Sequence, residues 1–150
     1  MKRVEIKLNL DAVAPLLDAI KSAADDLQPS LATTAAVPDP ELAEHWHAEL
    51  LQSQKGDLGV LLGLFDREFF SQGVIALDPG NAEPILRASA AVRLRLREAH
   101  LKELEDENLE SGEIDLDGLP EVQQRAFAAY VFLATLQEVI VQHLDPTVLE

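Results

Sequence analysis

Cysteine is absent from this 150-residue chain, which excludes disulfides, thiol nucleophiles and thiolate metal sites. No stretch reaches the ~18 consecutive apolar residues that a membrane span requires. The opening Met1-Lys2-Arg3 is basic, but Val4-Glu5-Ile6-Lys7-Leu8 alternates after it where a signal peptide would be continuously apolar. A cytoplasmic location is the default expectation. Positive charge is also scarce: 12 Lys and Arg against 27 Asp and Glu leave a net charge of −15. Nucleic-acid binding depends on cations that neutralise phosphates, and five of the basic residues lie in 87–102, divided between two sides of one helix. Nucleic acid and anionic membrane surfaces are therefore poor partners.

What remains is an ordinary soluble balance, 47% apolar and 26% charged, in a length that suits one domain, 1–150. A chain of this size buries roughly 70% of the surface its unfolded form exposes. Residues 3–10 alternate, with Val4, Ile6, Leu8 and Leu10 on one face, and predict a half-buried strand. Asp11 suits a helix N-cap, and helix follows to about Leu27, with Pro15 placed in its first turns. The segment 28–40 reads as a mobile linker. A second helix runs from Pro40 to about Gln54, Lys55-Gly56-Asp57 interrupts it, and a third spans about 58–71. Gly73 ends that helix, a short strand follows to Leu77, and Asp78-Pro79-Gly80-Asn81 turns the chain into a long helix over 82–110 capped by Asn81. After an acidic connection at 105–119, the last helix, 120–144, is apolar nearly all round from Ala126 to Val141 and should be central. One strand cannot stand alone, so 3–10 and 73–78 should pair. The expected fold is mainly α: about five helices packed around the buried C-terminal helix, with a small two-stranded β ribbon.

The long helix carries the most unusual pattern. Arg87, Ala91, Arg95, Glu98, Lys102 and Glu105 mark its outward stripe, and Ile85, Leu86, Val92, Leu94, Leu96, Leu101 and Leu104 its inward side. Ser89, Arg93 and His100 run through the apolar side, with Arg97 at its edge. A buried charge needs a partner, and Glu138 beside Gln137 is the acid within the apolar stretch of the last helix. The pattern predicts a structural polar network of Arg93, Gln137, Glu138 and His100, with Arg93 and Glu138 buried and ion-paired. The same cluster could instead line a ligand or catalytic pocket.

Other constellations weaken on inspection. Glu44 and His47 have the Glu-x-x-His spacing of di-iron bundles, but no second such motif occurs, so they read as a solvated face with Trp46 anchored inward. No metal and no cofactor is expected. Glu113-Ile114-Asp115-Leu116-Asp117-Gly118 resembles the start of a calcium loop, yet the first and twelfth positions are Glu113 and Gln124, where Asp and Glu are needed. Gly59 and Gly63 suggest close helix approach, and no lysine follows them as in a phosphate-binding loop. Ser89 and His100 stand about 16 Å apart along the helix axis, too far for a nucleophile–base pair.

With Leu77-Asp78-Pro79, Arg93-Leu94, Tyr130, Leu133 and Leu136-Gln137-Glu138 in this order of elements, the chain resembles a bacterial domain family of unknown function. That family is best represented in actinobacteria, where its genes often neighbour that of the ClpS protease adaptor. The resemblance covers most of 3–144 and implies an α-rich fold and a cytoplasmic bacterial origin, and the gene neighbourhood hints at protein quality control. It implies no activity. The expectation is a non-enzymatic interaction or regulatory domain with a protein partner. A homodimer is expected from the edge strand at 3–10. The alternative is a small enzyme or ligand-binding protein built on the Arg93 cluster.

Overall fold

The computed structural model describes residues 3–27, 40–101 and 118–144. The expected linker at 28–40 lies outside these residues apart from Pro40, as do most of the acidic connection and the calcium-loop lookalike up to Asp117. The described chain is mainly helical. Its elements run β1 (Val4–Lys7), α1 (Leu10–Asp26), α2 (Pro40–Leu62), α3 (Arg67–Gln72), β2 (Val74–Leu77), α4 (Ala82–His100) and α5 (Glu121–Leu144).

The ribbon forms as expected. β1 and β2 pair antiparallel, with Val4 opposite Leu77 and Ile6 opposite Ile75 on the core face. Glu5 opposite Ala76 and Lys7 opposite Val74 share the outer face. The Leu8 amide donates to the Gly73 carbonyl at 2.6 Å and closes the ladder at its open end. Gly73 sits at φ 71°, and a Cβ there would fall 2.7 Å from the Leu8 oxygen, so conformation and space both demand glycine. Its amide caps α3 by donating to Phe69 at 2.7 Å.

Several helix boundaries depart from expectation. α1 is capped by Asn9, whose Oδ1 accepts from Asp11 and Ala12, so Asp11 is already inside the helix. Pro15 therefore lies deeper than the first turn, on an exposed face where water can reach the carbonyl it leaves without a donor. α2 does not break at Lys55-Gly56-Asp57. Burial of Leu58 and Leu61 and engagement of Asp57 by α4 outweigh the roughly 1 kcal/mol that helical glycine costs. The break comes later, after Leu62, and α3 restarts on Asp66, whose Oδ1 accepts from the Phe69 amide at 3.1 Å. Gly59 is not a helix-crossing point, because nothing lies within 4 Å of a Cβ built there. Asn81 precedes α4 without a side-chain cap bond. Its carboxamide instead accepts from Asp78 N–H and donates to the Ala76 carbonyl.

α4 is the hub. It packs against α2, α5 and α1, and α5 also packs on α1. Ile85, Ala88, Ser89, Val92 and Leu96 form its buried stripe, with Leu133, Leu136 and Ile140 of α5 in the same core. α5 is covered on one side only, since Val122, Val131 and Val141 reach the surface. By length and composition α5 is the one described helix that could cross a membrane. Its apolar side is occupied by α1 and α4.

The two glycines give a paired test. Gly59→Ala removes backbone freedom at an open helical site and should stabilise the fold by about 0.5–1 kcal/mol. Gly73→Ala should destabilise by about 1–3 kcal/mol from the left-handed backbone alone, and more with the clash on Leu8. Urea unfolding midpoints of the two variants should move in opposite directions.

Candidate functional site

The seam expected along α4 exists, with different members. Arg93 lies half-buried between α4 and α5. Its Nη1 donates to Gln137 Oε1 at 2.8 Å, and Gln137 Nε2 donates to the Leu86 carbonyl at 3.0 Å. The guanidinium also sits over the Tyr130 ring, 4.3 Å from its centroid, where the negative face of the π system attracts the cation. Glu138 takes no part. It is exposed and accepts from Gln142 Nε2 at 3.2 Å. Neighbouring residues on a helix point about 100° apart, so with Gln137 turned toward α4, Glu138 must turn away. The expected buried Arg93–Glu138 ion pair is thus replaced by a neutral acceptor and an aromatic face. A half-buried guanidinium that keeps contact with water does not require a buried acid.

His100 is also separate. Seven residues, about 10 Å along the axis, divide it from Arg93. It borders a crevice of only about 10 Å³ with Ser22, Asp26 and Arg95, at the lower limit of the ~10–15 Å³ that a single water occupies. Two polar atoms on the inner face of α4, Ser89 Oγ and Arg93 Nε, are buried without a hydrogen-bond partner. Ser89 is fully buried, and neither described cavity is lined by Ser89, Arg93 or Gln137.

The stripe expected to face solvent includes ion pairs that join helices. Arg87 forks onto Asp57 of α2, Nε to Oδ2 at 2.9 Å and Nη2 to Oδ1 at 3.0 Å. Asp57 is 9% exposed, while the Arg87 side chain remains 54% exposed. The hydrogen bond to Asp57 raises the Arg87 pKa above its ordinary value, opposed by partial burial and supported by the charges of Asp57 and Glu83. Arg95 reaches Asp26 of α1 at 3.3 Å. Leu94, expected inside, is exposed. The acid that matters was hidden in a triplet resembling a helix break. A signal for it was available: Asp57 lies one residue before Leu58 and three before Val60, within an unbroken apolar spacing.

A cleft of about 350 Å³ lies between the α2–α3 turn and β2. Arg3, Asp66, Glu68, Asp78 and Asn81 supply its polar lining. Asp66 and Asp78 serve as local caps there, Asn81 closes the turn, and Arg3 pairs with Glu5 at 3.3 Å. Asp66, Asp78 and Asn81 are thus engaged in building the turns.

Glu44 and His47 are both exposed, and His45 Nε2 lies 3.2 Å from Glu49 Oε1. No group of three potential metal ligands gathers among the described residues. Trp46 is not anchored inward: it is 48% exposed, between Leu42 at 47% and Leu50 at 41%. These three stand four residues apart and form a stripe on the outer turns of α2, where every side chain described from Glu41 to Leu50 is exposed. No family model, curated protein or solved structure matches the chain.

The seam and the clamp separate by mutation. Gln137→Ala removes the acceptor of a half-buried guanidinium and should cost about 1–3 kcal/mol, whereas Glu138→Ala should stay within about 0.5 kcal/mol. Equal losses in urea unfolding would contradict this assignment. Arg87→Ala strands the Asp57 carboxylate and should cost about 1–3 kcal/mol, more than Asp57→Asn, which keeps an acceptor for the guanidinium. Thermal melts of the two variants check that order.

Proposed function

We propose that this chain is a non-enzymatic interaction or regulatory domain of the bacterial cytoplasm that engages a protein partner through the outer half of α2. The observation that carries the reading is the stripe Leu42, Trp46 and Leu50, each more than two-fifths exposed on a helix whose inner half packs on α4. Contiguous exposed apolar side chains with a polar rim mark interaction surfaces. Anchors at i, i+4 and i+8 suit a hydrophobic groove that receives one helix face. Glu41, Glu44 and Glu49 border the stripe, and the chain carries −15 overall, so the complementary groove should be rimmed by basic residues. The resemblance to a family encoded beside the ClpS adaptor makes ClpS and the Clp protease the first candidates. A homodimer belongs to the same reading. The alternative of an enzyme or ligand pocket draws no support from the geometry, because Arg93, Gln137, Glu138 and His100 do not gather around one space.

Trp46 is the single tryptophan of the chain, so its fluorescence reports on the stripe directly. Titration with purified ClpS, and separately with the Clp protease, should shift its emission to shorter wavelength as water leaves the indole. Leu42→Glu and Leu50→Glu should abolish that shift without lowering the melting temperature. Binding that survives both substitutions would refute the stripe as the docking surface, and no binding to either protein would refute these partners.

A further inference from the structure

The β ribbon has an open side whose chemistry is complementary to itself. The Leu8–Gly73 hydrogen bond places that pair among the bonded positions of the β1–β2 ladder. Bonded and non-bonded pairs alternate in an antiparallel ladder, so Ile6–Ile75 and Val4–Leu77 are the other bonded pairs. The backbone groups of Glu5 and Lys7 consequently point away from β2. The Asn81 bond to the Ala76 carbonyl supports this phase, since Ala76 is opposite Glu5 and its oxygen also faces away from the ladder. On β2 that Asn81 carboxamide occupies the outer edge. On β1, among the described residues, no hydrogen bond occupies it, and β1 packs substantially on β2 alone. Burial is correspondingly lopsided: Leu77 and Ile75 are 0% and 2% exposed, while their cross-strand neighbours Val4 and Ile6 are only half-buried.

Resting on the reading of this chain as an interaction domain, we infer that β1 pairs antiparallel with β1 of a second copy, with the two-fold axis at Ile6. In that register Glu5 faces Lys7 of the partner subunit, and Lys7 faces Glu5 of the partner subunit, both as hydrogen-bonded pairs on the outer face. Ile6 meets its own copy on the core face, and Val4 meets Leu8 of the partner subunit. The result is a four-stranded sheet ordered β2-β1-β1-β2 with both helical layers on one side. The segment Val4-Glu5-Ile6-Lys7-Leu8 reads apolar, acidic, apolar, basic, apolar from its N-terminal end, and the two charges exchange places when it is read backwards. Antiparallel self-pairing therefore sets every acid against a base and every apolar residue against another. The neighbouring registers that keep the faces aligned place Glu5 against Glu5 or Lys7 against Lys7, and directly opposed like charges are unfavourable. A larger shift would set Glu5 against Arg3 of the partner subunit but leave Ile6 opposite a lysine, so charge and the apolar row together select one register. The match between the edge left open by the described residues, the half-buried apolar row and the alternating charge selects a second copy as the occupant.

Sedimentation equilibrium on the full chain tests this pairing by charge exchange. Glu5→Lys and Lys7→Glu should each weaken dimerisation by at least about tenfold, because each creates two opposed like-charge pairs at the two-fold. An equimolar mixture of the two variants should recover dimer, since a strand with lysine at both positions then faces a strand with glutamate at both. Both positions are exposed, and unchanged circular dichroism would verify that the variants fold. Ile6→Cys, the only thiol in such a variant, should form an interchain disulfide on mild oxidation, its Cα atoms lying at the ~4.5 Å of a non-bonded pair. A wild-type chain that stays monomeric at millimolar concentration would overturn the inference while leaving the Trp46 docking surface standing. A dimer indifferent to both charge reversals would place the contact elsewhere and overturn it as well.

Discussion

The close packing of α4 between α2 and α5 is the constraint on which the other features depend. Its buried stripe includes Ala88 and Ser89, small enough to let a neighbouring helix approach, between the larger Ile85, Val92 and Leu96. Burying such a stripe on both sides contributes roughly 25 cal/mol for each Å² of apolar surface removed from water. That non-directional term holds the helices together, and directional contacts set how they sit. Arg87 on Asp57 fixes α2, Arg95 on Asp26 ties α1, and Arg93 on Gln137 and Tyr130 orients α5. Three arginines of one helix thereby address three neighbouring helices.

Placement of these contacts also explains why the polar side chains of α4 do not form one cluster. Each arginine is partly exposed or satisfied by its neighbour, and its acceptor is drawn from a different helix. The polar groups are spread along the helix and do not converge on one space. Exposed material collects at the periphery: the outer turns of α2 carry Leu42, Trp46 and Leu50, and β1 has a backbone edge that no described residue pairs with. Both are the features on which the proposed interaction role rests.

Periodicity made most of the fold legible. Alternation at 3–10 revealed β1, helical signals revealed α1, α4, α5 and the first turns of α2, and the need of one strand for another paired β1 with β2. Boundaries were harder to read because tertiary contacts decided them. Lys55-Gly56-Asp57 looks like a break, yet α2 continues because Asp57 and Leu58 are held by neighbours that local sequence does not display. Asn81 looks like a cap but is engaged at the edge of β2. The polar seam was legible in Arg93 and Gln137 and misread at Glu138, where charge was weighed above the 100° turn that separates adjacent residues. Arg87 does face solvent, its side chain 54% exposed, but a single-helix projection could not reveal that Arg87 and Arg95 reach across to Asp57 and Asp26 on neighbouring helices. Trp46 was placed inward by its apolar character, although the outer turns of α2 have no described neighbour to bury it.

Native-state hydrogen exchange at single-residue resolution tests the central claim of a rigid α4-centred core with a peripheral interaction surface. Amides from Ile85 to Leu96 in α4 and from Ala126 to Ile140 in α5 should exchange only through global unfolding, with opening free energies equal to the stability measured by urea. Amides of the outer turns of α2, Glu44 to Leu50, should exchange through local opening at free energies well below that value. Outer turns of α2 as protected as α4, or an α4 that opens independently of α5, would contradict the account.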